Sequence, residues 1–176
     1  LSLRRQRQMC IRDSNLIAVY AVTDILGLDP SKSIELLSKL KPVEGRFQVI
    51  SKNGITGIID FAHTPDAIEK VLVSVKDYVK SDGVIITVVG CGGGRDKEKR
   101  NKMGNVLSEL SDLTIFTSDN PRNEDPNQII NDMLMGVDNK KIKKVKTITD
   151  REDAIKYAVS ISKVNDILLI LGKGHE

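Results

Sequence analysis

The chain has 176 residues, 40% hydrophobic and 29% charged, with 3% aromatics and no Trp. That length suits one full domain with a piece of another, and a core of Ile, Val and Leu suits a buried parallel sheet while leaving too few rings for a base-stacking platform. The formal charge of +3 arises in residues 1–14, LSLRRQRQMCIRDS; without them 23 basic residues face 23 acidic ones, so a nucleic-acid-binding surface is not indicated.

Residues 1–14 have no apolar period and join abruptly to a helical pattern. They read as a non-native head, or else as a basic tail for nucleic acid or lipid, and are set aside from the fold. Cys10 lies in this head. Cys91 is then alone in the body, which excludes an internal disulfide there and fits a reducing cytosol. No run approaches the roughly eighteen apolar residues of a membrane span, so no membrane partner is expected.

Residues 15–28 carry Leu16, Ile17, Val19, Tyr20, Val22 and Ile25 at helical spacing, with Gly27 as a stop. After the turn Asp29-Pro30-Ser31, residues 32–40 give a second short helix. Two such helices are too little for a domain, so residues 15–42 read as the tail of a preceding one. From residue 43 onward the pattern changes. Residues 47–51 and 55–60 predict two strands around Lys52-Asn53-Gly54, a hairpin signal. Helices are predicted over 67–80, 96–110, 127–135 and 151–162. The remaining strands are predicted over 84–89, 113–116, 146–149 and 167–171, and Asp150 reads as an N-cap with Asp153 three residues on. This alternation predicts an α/β fold: a mainly parallel, Rossmann-like sheet with helices on both faces, opened by an antiparallel hairpin. Lys140–Lys146 is a basic cluster that reads as a solvated loop face.

Four polar loops follow strands: 60–66, 90–95, 117–125 and 172–176. In a parallel sheet the strand C-termini share one edge, so these loops are expected to converge. Gly90-Cys91-Gly92-Gly93-Gly94-Arg95 has Arg95 where a dinucleotide fingerprint needs its third glycine, and Gly172-Lys173-Gly174 lacks the hydroxyl that follows the lysine of a P-loop. The glycine run is either a plain strand-to-helix turn or a place where backbone approaches a ligand, with Arg95 facing an anion. His63 and His175 are each either structural or functional. No His/Cys set has metal-ligand spacing, and Cys91 shows no paired base. In the loop 117–125, Arg122 offers a planar fork for a carboxylate or phosphate beside Asn120, with Pro121 stiffening the backbone between them. The alternative is a surface pair between Arg122 and Glu124 or Asp125, which contributes little.

Gly45-Arg46-Phe47, the run Asp60–Glu69 (DFAHTPDAIE), the run Gly90–Arg100 (GCGGGRDKEKR), the run Ser118–Pro126 (SDNPRNEDP) and Gly172–Glu176 (GKGHE) stand in this order. Together they resemble the C-terminal domain of the Mur ligases, in the type that adds diaminopimelate, over residues 15–176. The resemblance implies an enzyme of the bacterial cytoplasm that builds the peptidoglycan stem peptide. ATP phosphorylates the glutamyl carboxylate of a UDP-N-acetylmuramoyl dipeptide, and the amine of the incoming amino acid displaces the phosphate. It implies that Asp119, Asn120, Pro121 and Arg122 form the recognition loop for meso-diaminopimelate. Arg95, Gly172 and Glu176 complete that pocket, and Arg46, Asp60 and His63 match positions facing ATP. The catalytic residues and the Mg2+ ligands are expected in a central ATPase domain. Of that domain residues 15–42 are the expected remnant, and residues 43–176 are the C-terminal domain, ending before a last helix. Such a fragment is not expected to turn over alone. Phe61 stands where relatives often have Tyr.

Meso-diaminopimelate differs from lysine by a second carboxylate. Arg122 and Arg95 would hold it, Asn120 would donate to it, and Glu176 with the Gly172 carbonyl would take the distal ammonium. Lysine would leave both arginines unpaired. The alternatives are a lysine-adding or folylpolyglutamate-type ligase, a non-catalytic amino-acid-binding module, and, weakened by Arg95, a nicotinamide-dependent oxidoreductase.

Overall fold

The computed structural model describes residues 16–39 and 44–174. It divides into two units between residues 42 and 43. In the first unit, helix α1 covers residues 16–25 and ends at Gly27, whose φ of 69° is the left-handed conformation that glycine adopts without a Cβ clash. Helix α2 (Pro30–Ser38) starts on Asp29, whose carboxylate accepts the Lys32 amide at 2.6 Å, with Pro30 in the first turn.

The second unit is a six-stranded sheet in the order β1-β2-β6-β3-β4-β5. Strands β1 (Gln48–Lys52) and β2 (Ile55–Asp60) form the antiparallel hairpin, turning on Asn53 and Gly54 with φ of 52° and 79°. Two positive φ values in sequence are what an Asn-Gly turn supplies at low steric cost. The other strands, β3 (Ile85–Cys91), β4 (Leu113–Ser118), β5 (Val145–Thr147) and β6 (Ile167–Leu171), run parallel to β2 and to one another. All seven residues of β3 are buried, because helices cover both of its faces.

Helices α3 (Pro65–Lys76), α4 (Glu98–Leu110) and α5 (Pro126–Leu134) lie on one face. They bury Ile68, Leu72, Met103, Leu107, Ile129 and Met133 against Val89, Phe116, Leu169 and Leu171. Helix α6 (Arg151–Ile161) covers the other face with Ala154 and Ala158 over Val88, Ile115 and Leu168. A β-carbon on Gly104 would sit 1.9 Å from the Met133 carbonyl oxygen, so glycine there permits α4 and α5 to pack closely. The chain moves outward from β3 to β5 and returns through α6 to place β6 between β2 and β3. The break in strand order therefore falls between β6 and β3, where open α/β sheets hold their ligands.

The expected fold class is present, and β2, β6 and α6 begin as predicted. Two strands run further than their apolar cores indicated. Cys91 and Ser118 are paired residues of β3 and β4 rather than loop residues, because the ladder continues through polar positions. The Ser118 amide adds a bond to the Thr149 carbonyl at 3.0 Å. Helix α3 ends at Lys76, four residues before its predicted end. Residues 1–14 and the 42–43 part of the expected boundary lie outside the described residues.

Candidate functional site

Register brings the four loops to one edge. Asp60 of β2 aligns with Leu171 of β6, Leu171 with Val89 of β3, and Cys91 with Ser118 of β4. Each strand therefore ends within about two residues of its neighbour, and the loops at 61–64, 92–97, 119–125 and 172–174 leave the sheet side by side.

The glycine loop and the Asn-Pro-Arg loop interlock through backbone. The Gly93 amide donates to the Asn120 carbonyl at 2.9 Å, and within the Asn-Pro-Arg loop the Glu124 amide closes a turn onto the Pro121 carbonyl at 3.0 Å. A β-carbon on Gly93 would lie 1.9 Å from the Pro121 oxygen, so only glycine admits this approach. Arg122 sits at the crossing with φ of 51°. A left-handed arginine is strained by about 1–2 kcal/mol and persists because its surroundings hold it. Its Nη1 donates to the Gly93 carbonyl at 2.6 Å. Nε and Nη2 donate to no acceptor among the described residues, which leaves a planar fork for an anion.

The expected alternative, a surface pair between Arg122 and Glu124, is not what forms. Arg100 takes Glu124 instead. Its guanidinium is fully buried and forks onto Glu124 with Nη1–Oε2 and Nη2–Oε1 distances of 2.9 and 3.0 Å. Nη1 also meets Asp132 Oδ2 at 2.8 Å. Glu124 Oε1 accepts the Gly94 amide at 2.6 Å, tying the pair to the glycine loop. Arg100 and the Gly94 amide hold the Glu124 carboxyl at a pKa of about 2, and Arg100 lowers Asp132 in the same way. Asp125 has a different role: it caps α5 by accepting the Asn127 amide at 2.9 Å.

Arg100 was missed in the sequence, although a signal exists. Arg100, Met103, Gly104 and Leu107 fall on one helical stripe, and all four are buried. A charged residue on a buried stripe needs an acidic partner.

Lys173 joins the other side of the Asn-Pro-Arg loop. Its Nζ lies 3.3 Å from Asn120 Oδ1 and 3.9 Å from Asp119 Oδ1. Asp119 Oδ1 is buried and accepts no hydrogen bond among the described residues. Gly172 turns at φ of 108°, a conformation that favours glycine, with Asp119 Oδ2 3.5 Å from where its β-carbon would be. Arg151, at the start of α6, donates from Nη2 to the Leu171 carbonyl at 2.9 Å. Burial pushes its pKa down and the Asp119 charge opposes that shift. Ser118, Asp119, Thr149, Asp150, Arg151 and Lys173 line a cleft of ≈ 500 Å³ here.

The third group forms around Phe61. Asp60 accepts the Phe47 amide on Oδ2 and the Ala62 amide on Oδ1, both at 2.8 Å. Both carboxylate oxygens thus hold backbone, and Asp60 positions the neighbouring loops. Arg46 stacks on the Phe61 ring at 4.4 Å, a cation–π contact, and makes no ion pair among the described residues. His63 meets the same ring edge-on at 5.2 Å, and its Nδ1 lies 2.9 Å from the Phe61 carbonyl oxygen. Arg46, Asp60 and His63 are therefore brought together, with Phe61 at their centre.

Asp119, Asn120, Pro121, Arg122 and Gly172 also share one region. Arg95 is exposed and makes no hydrogen bond or ion pair among the described residues. Glu176 and His175 lie outside the described residues. Among those described, no cluster of three or more His, Cys, Asp or Glu could hold a metal ion, and no helix is long and apolar enough to cross a membrane.

The family model for the Mur ligase glutamate ligase domain matches residues 45–174. The chain belongs to the Mur ligase family. A UDP-N-acetylmuramoyl-L-alanyl-D-glutamate--2,6-diaminopimelate ligase of Phocaeicola vulgatus is 47% identical over 164 residues, 93% of this chain and 34% of that protein. The ligase of the same name from Clostridioides difficile is 46% identical over 163 residues, 92% of this chain and 33% of its own. A solved structure of a ligase with that name superposes with a TM-score of 0.69 at 38% identity, over 94% of this chain and 33% of that one. A folylpolyglutamate synthase of Thermotoga maritima shares the fold, with a TM-score of 0.58 at 24% identity over 83% of this chain and 31% of that one. The chain thus spans about a third of the length of these relatives.

Proposed function

We propose that this chain is the amino-acid-receiving part of a ligase that adds meso-diaminopimelate to UDP-N-acetylmuramoyl-L-alanyl-D-glutamate, in the bacterial cytoplasm. The observation that carries the reading is Arg122. It is held in a strained left-handed conformation by the glycine loop, with Nε and Nη2 left for a ligand. A two-pronged cation of this kind suits the carboxylate that diaminopimelate has and lysine lacks. Asn120, Asp119 and Gly172 stand around it, and Arg95 and Glu176 are assigned to the same pocket. The names of the relatives support this choice over a lysine-adding or folylpolyglutamate-type ligase.

The group around Phe61 suits ATP. Arg46 is an exposed cation without a carboxylate partner among the described residues, braced on Phe61 beside His63. These residues would hold part of the nucleotide, which supplies the phosphoryl group that activates the acceptor's carboxylate. Asp60 would serve by fixing the Phe47 and Ala62 backbone. The Mg2+ ligands and the groups that activate the carboxylate are assigned to the part of the relatives that this chain does not span. The role of these residues is to orient the amino acid so that its amine meets the activated carboxyl.

Calorimetric titration tests the reading. The chain is expected to bind meso-diaminopimelate more tightly than L-lysine. Arg122→Ala, which removes charge-assisted bonds, is expected to lower that affinity about 10–100-fold and to leave the affinity for lysine nearly unchanged. A preference for lysine, or an Arg122→Ala chain that binds diaminopimelate as before, would reject the assignment.

A further inference from the structure

Lys173 has no role in the reading above, yet it touches two of the residues that reading uses. Its Nζ lies 3.3 Å from Asn120 Oδ1 and 3.9 Å from Asp119 Oδ1, with about a quarter of its side chain exposed. An ammonium has three donors and no acceptor. An amide beside it must therefore present its oxygen, and this conclusion depends on chemistry rather than on how the two amide atoms are labelled. Once Asn120 Oδ1 is committed to Lys173, the amide's other end, the Nδ2 donor pair, points away from Lys173.

We infer that Lys173 is a positioning residue that sets the polarity of Asn120: by holding the amide oxygen, it makes Asn120 a donor toward the amino-acid pocket and so selects for a carboxylate there. The inference rests on the assignment of that pocket to diaminopimelate. Removing the ammonium changes the balance. Asp119 Oδ1, the other oxygen that Lys173 approaches, at 3.9 Å, and one without a hydrogen bond among the described residues, is then left as an uncompensated acceptor on the neighbouring residue. The amide turns its Nδ2 toward that carboxylate and shows Oδ1 to the pocket. An exposed amide oxygen repels the distal carboxylate of diaminopimelate and tolerates the ammonium of lysine. Loss of Lys173 therefore changes which ligand is preferred as well as how tightly it binds.

Arg151 keeps Lys173 in place. Its bond to the Leu171 carbonyl anchors the end of β6, from which the Gly172-Lys173 turn leaves the sheet. The Gly172 amide is held in turn by the Asp60 carbonyl at 3.1 Å. The backbone just before the lysine is thus held from α6 and from β2, which sets where its side chain starts.

The test compares the wild-type chain with Lys173→Met, Lys173→Arg, Asn120→Ala and the Lys173→Met/Asn120→Ala pair, each titrated with meso-diaminopimelate and with L-lysine. Lys173→Met is expected to reduce the diaminopimelate-to-lysine affinity ratio about tenfold or more, the scale of one charge-assisted bond turned into a repulsion. Lys173→Arg, which keeps a donor-only cation, is expected to stay within about threefold of wild type. Adding Asn120→Ala to Lys173→Met is expected to lower diaminopimelate affinity no further, because the amide has already ceased to donate. A ratio unchanged in Lys173→Met, or losses from the two substitutions that simply add, would overturn the inference while leaving the diaminopimelate assignment standing. A merely structural lysine lowers the melting temperature and both affinities together, and that result also overturns it. Failure of the wild-type chain to bind diaminopimelate removes the assignment and this inference with it.

Discussion

Arg100 and Glu124 form a two-bond fork beneath the Asn-Pro-Arg loop, with the guanidinium fully buried and the carboxylate partly open to water. Glu124 also holds the Gly94 amide, so one ion pair ties α4 to the glycine loop and to the loop that carries Arg122. Arg100→Met removes the buried cation and leaves Glu124 and Asp132 with only the exposed Lys97 ammonium, 3.3 Å from Glu124. Urea denaturation is expected to show a loss of about 2–3 kcal/mol, below the range for a fully buried pair because both acids keep some water contact. Arg100→Lys retains charge without the fork and is expected to recover less than half of that loss. A Met variant as stable as wild type would show that the pair is incidental.

The same pair gives the fold a pH dependence. Glu124 has a native pKa of about 2, below the ordinary carboxylate value of 4.5, and Asp132 is also lowered, each chiefly by Arg100. Depressed native values mean that the unfolded chain binds protons first, so this contribution is complete above about pH 4.5 and fades as pH falls toward 2. Acid titration followed by circular dichroism is expected to show destabilisation in that window. Glu124→Gln should flatten it there and leave the response above pH 6 unchanged. An identical acid limb in the variant would assign the window to other carboxylates.

Much of this was legible in the sequence because apolar period and turn chemistry act locally. Ile85–Val89, aliphatic but for Thr87, and Ile167–Leu171, wholly aliphatic, form the centre of the sheet. Asn53-Gly54 makes the hairpin, and Asp150 caps α6. The convergence of the loops was legible too, since parallel strands place their C-termini on one edge. What escaped was set by contacts distant in sequence. Arg100 meets Glu124 across 24 residues and Lys173 meets Asn120 across 53. No local pattern specifies either. Glu124 lies two residues from Arg122, so local reasoning offered that pair first, yet the left-handed turn at Arg122 directs its guanidinium to Gly93 instead.

Two neighbouring glycines separate fold from recognition. A β-carbon at Gly93 would stand 1.9 Å from the Pro121 carbonyl oxygen, whereas one at Gly92 would stand 3.1 Å from Arg122 Nη1, the end of a flexible side chain. Gly93→Ala must push the two loops apart, and is expected to lower stability by about 2 kcal/mol or more together with diaminopimelate affinity. Gly92→Ala displaces the guanidinium alone. It is expected to change stability by less than about 1 kcal/mol while weakening diaminopimelate several-fold. Thermal melts and titration of both variants check this contrast. Equal effects on stability would mean that the loops give way as one piece.

Cys91 ends β3 directly beneath this site, 2% exposed, with its sulfur 3.7 Å from that of Met103. Burial raises its thiol pKa, and the opposing charges of Lys99 and Arg100 are smaller effects. The thiolate is the reactive species, so a raised pKa and lack of access act in the same direction. With Cys10 replaced by serine, the remaining thiol is expected to react with a soluble disulfide reagent at neutral pH at least about a hundredfold more slowly than free cysteine, limited by opening of the sheet edge. Denaturant should restore the full rate. Arg100→Met should raise it in the folded chain, because the loops that cover β3 are tied down through that arginine. Prompt labelling of the native single-thiol chain would show that the glycine loop leaves this edge of the sheet open.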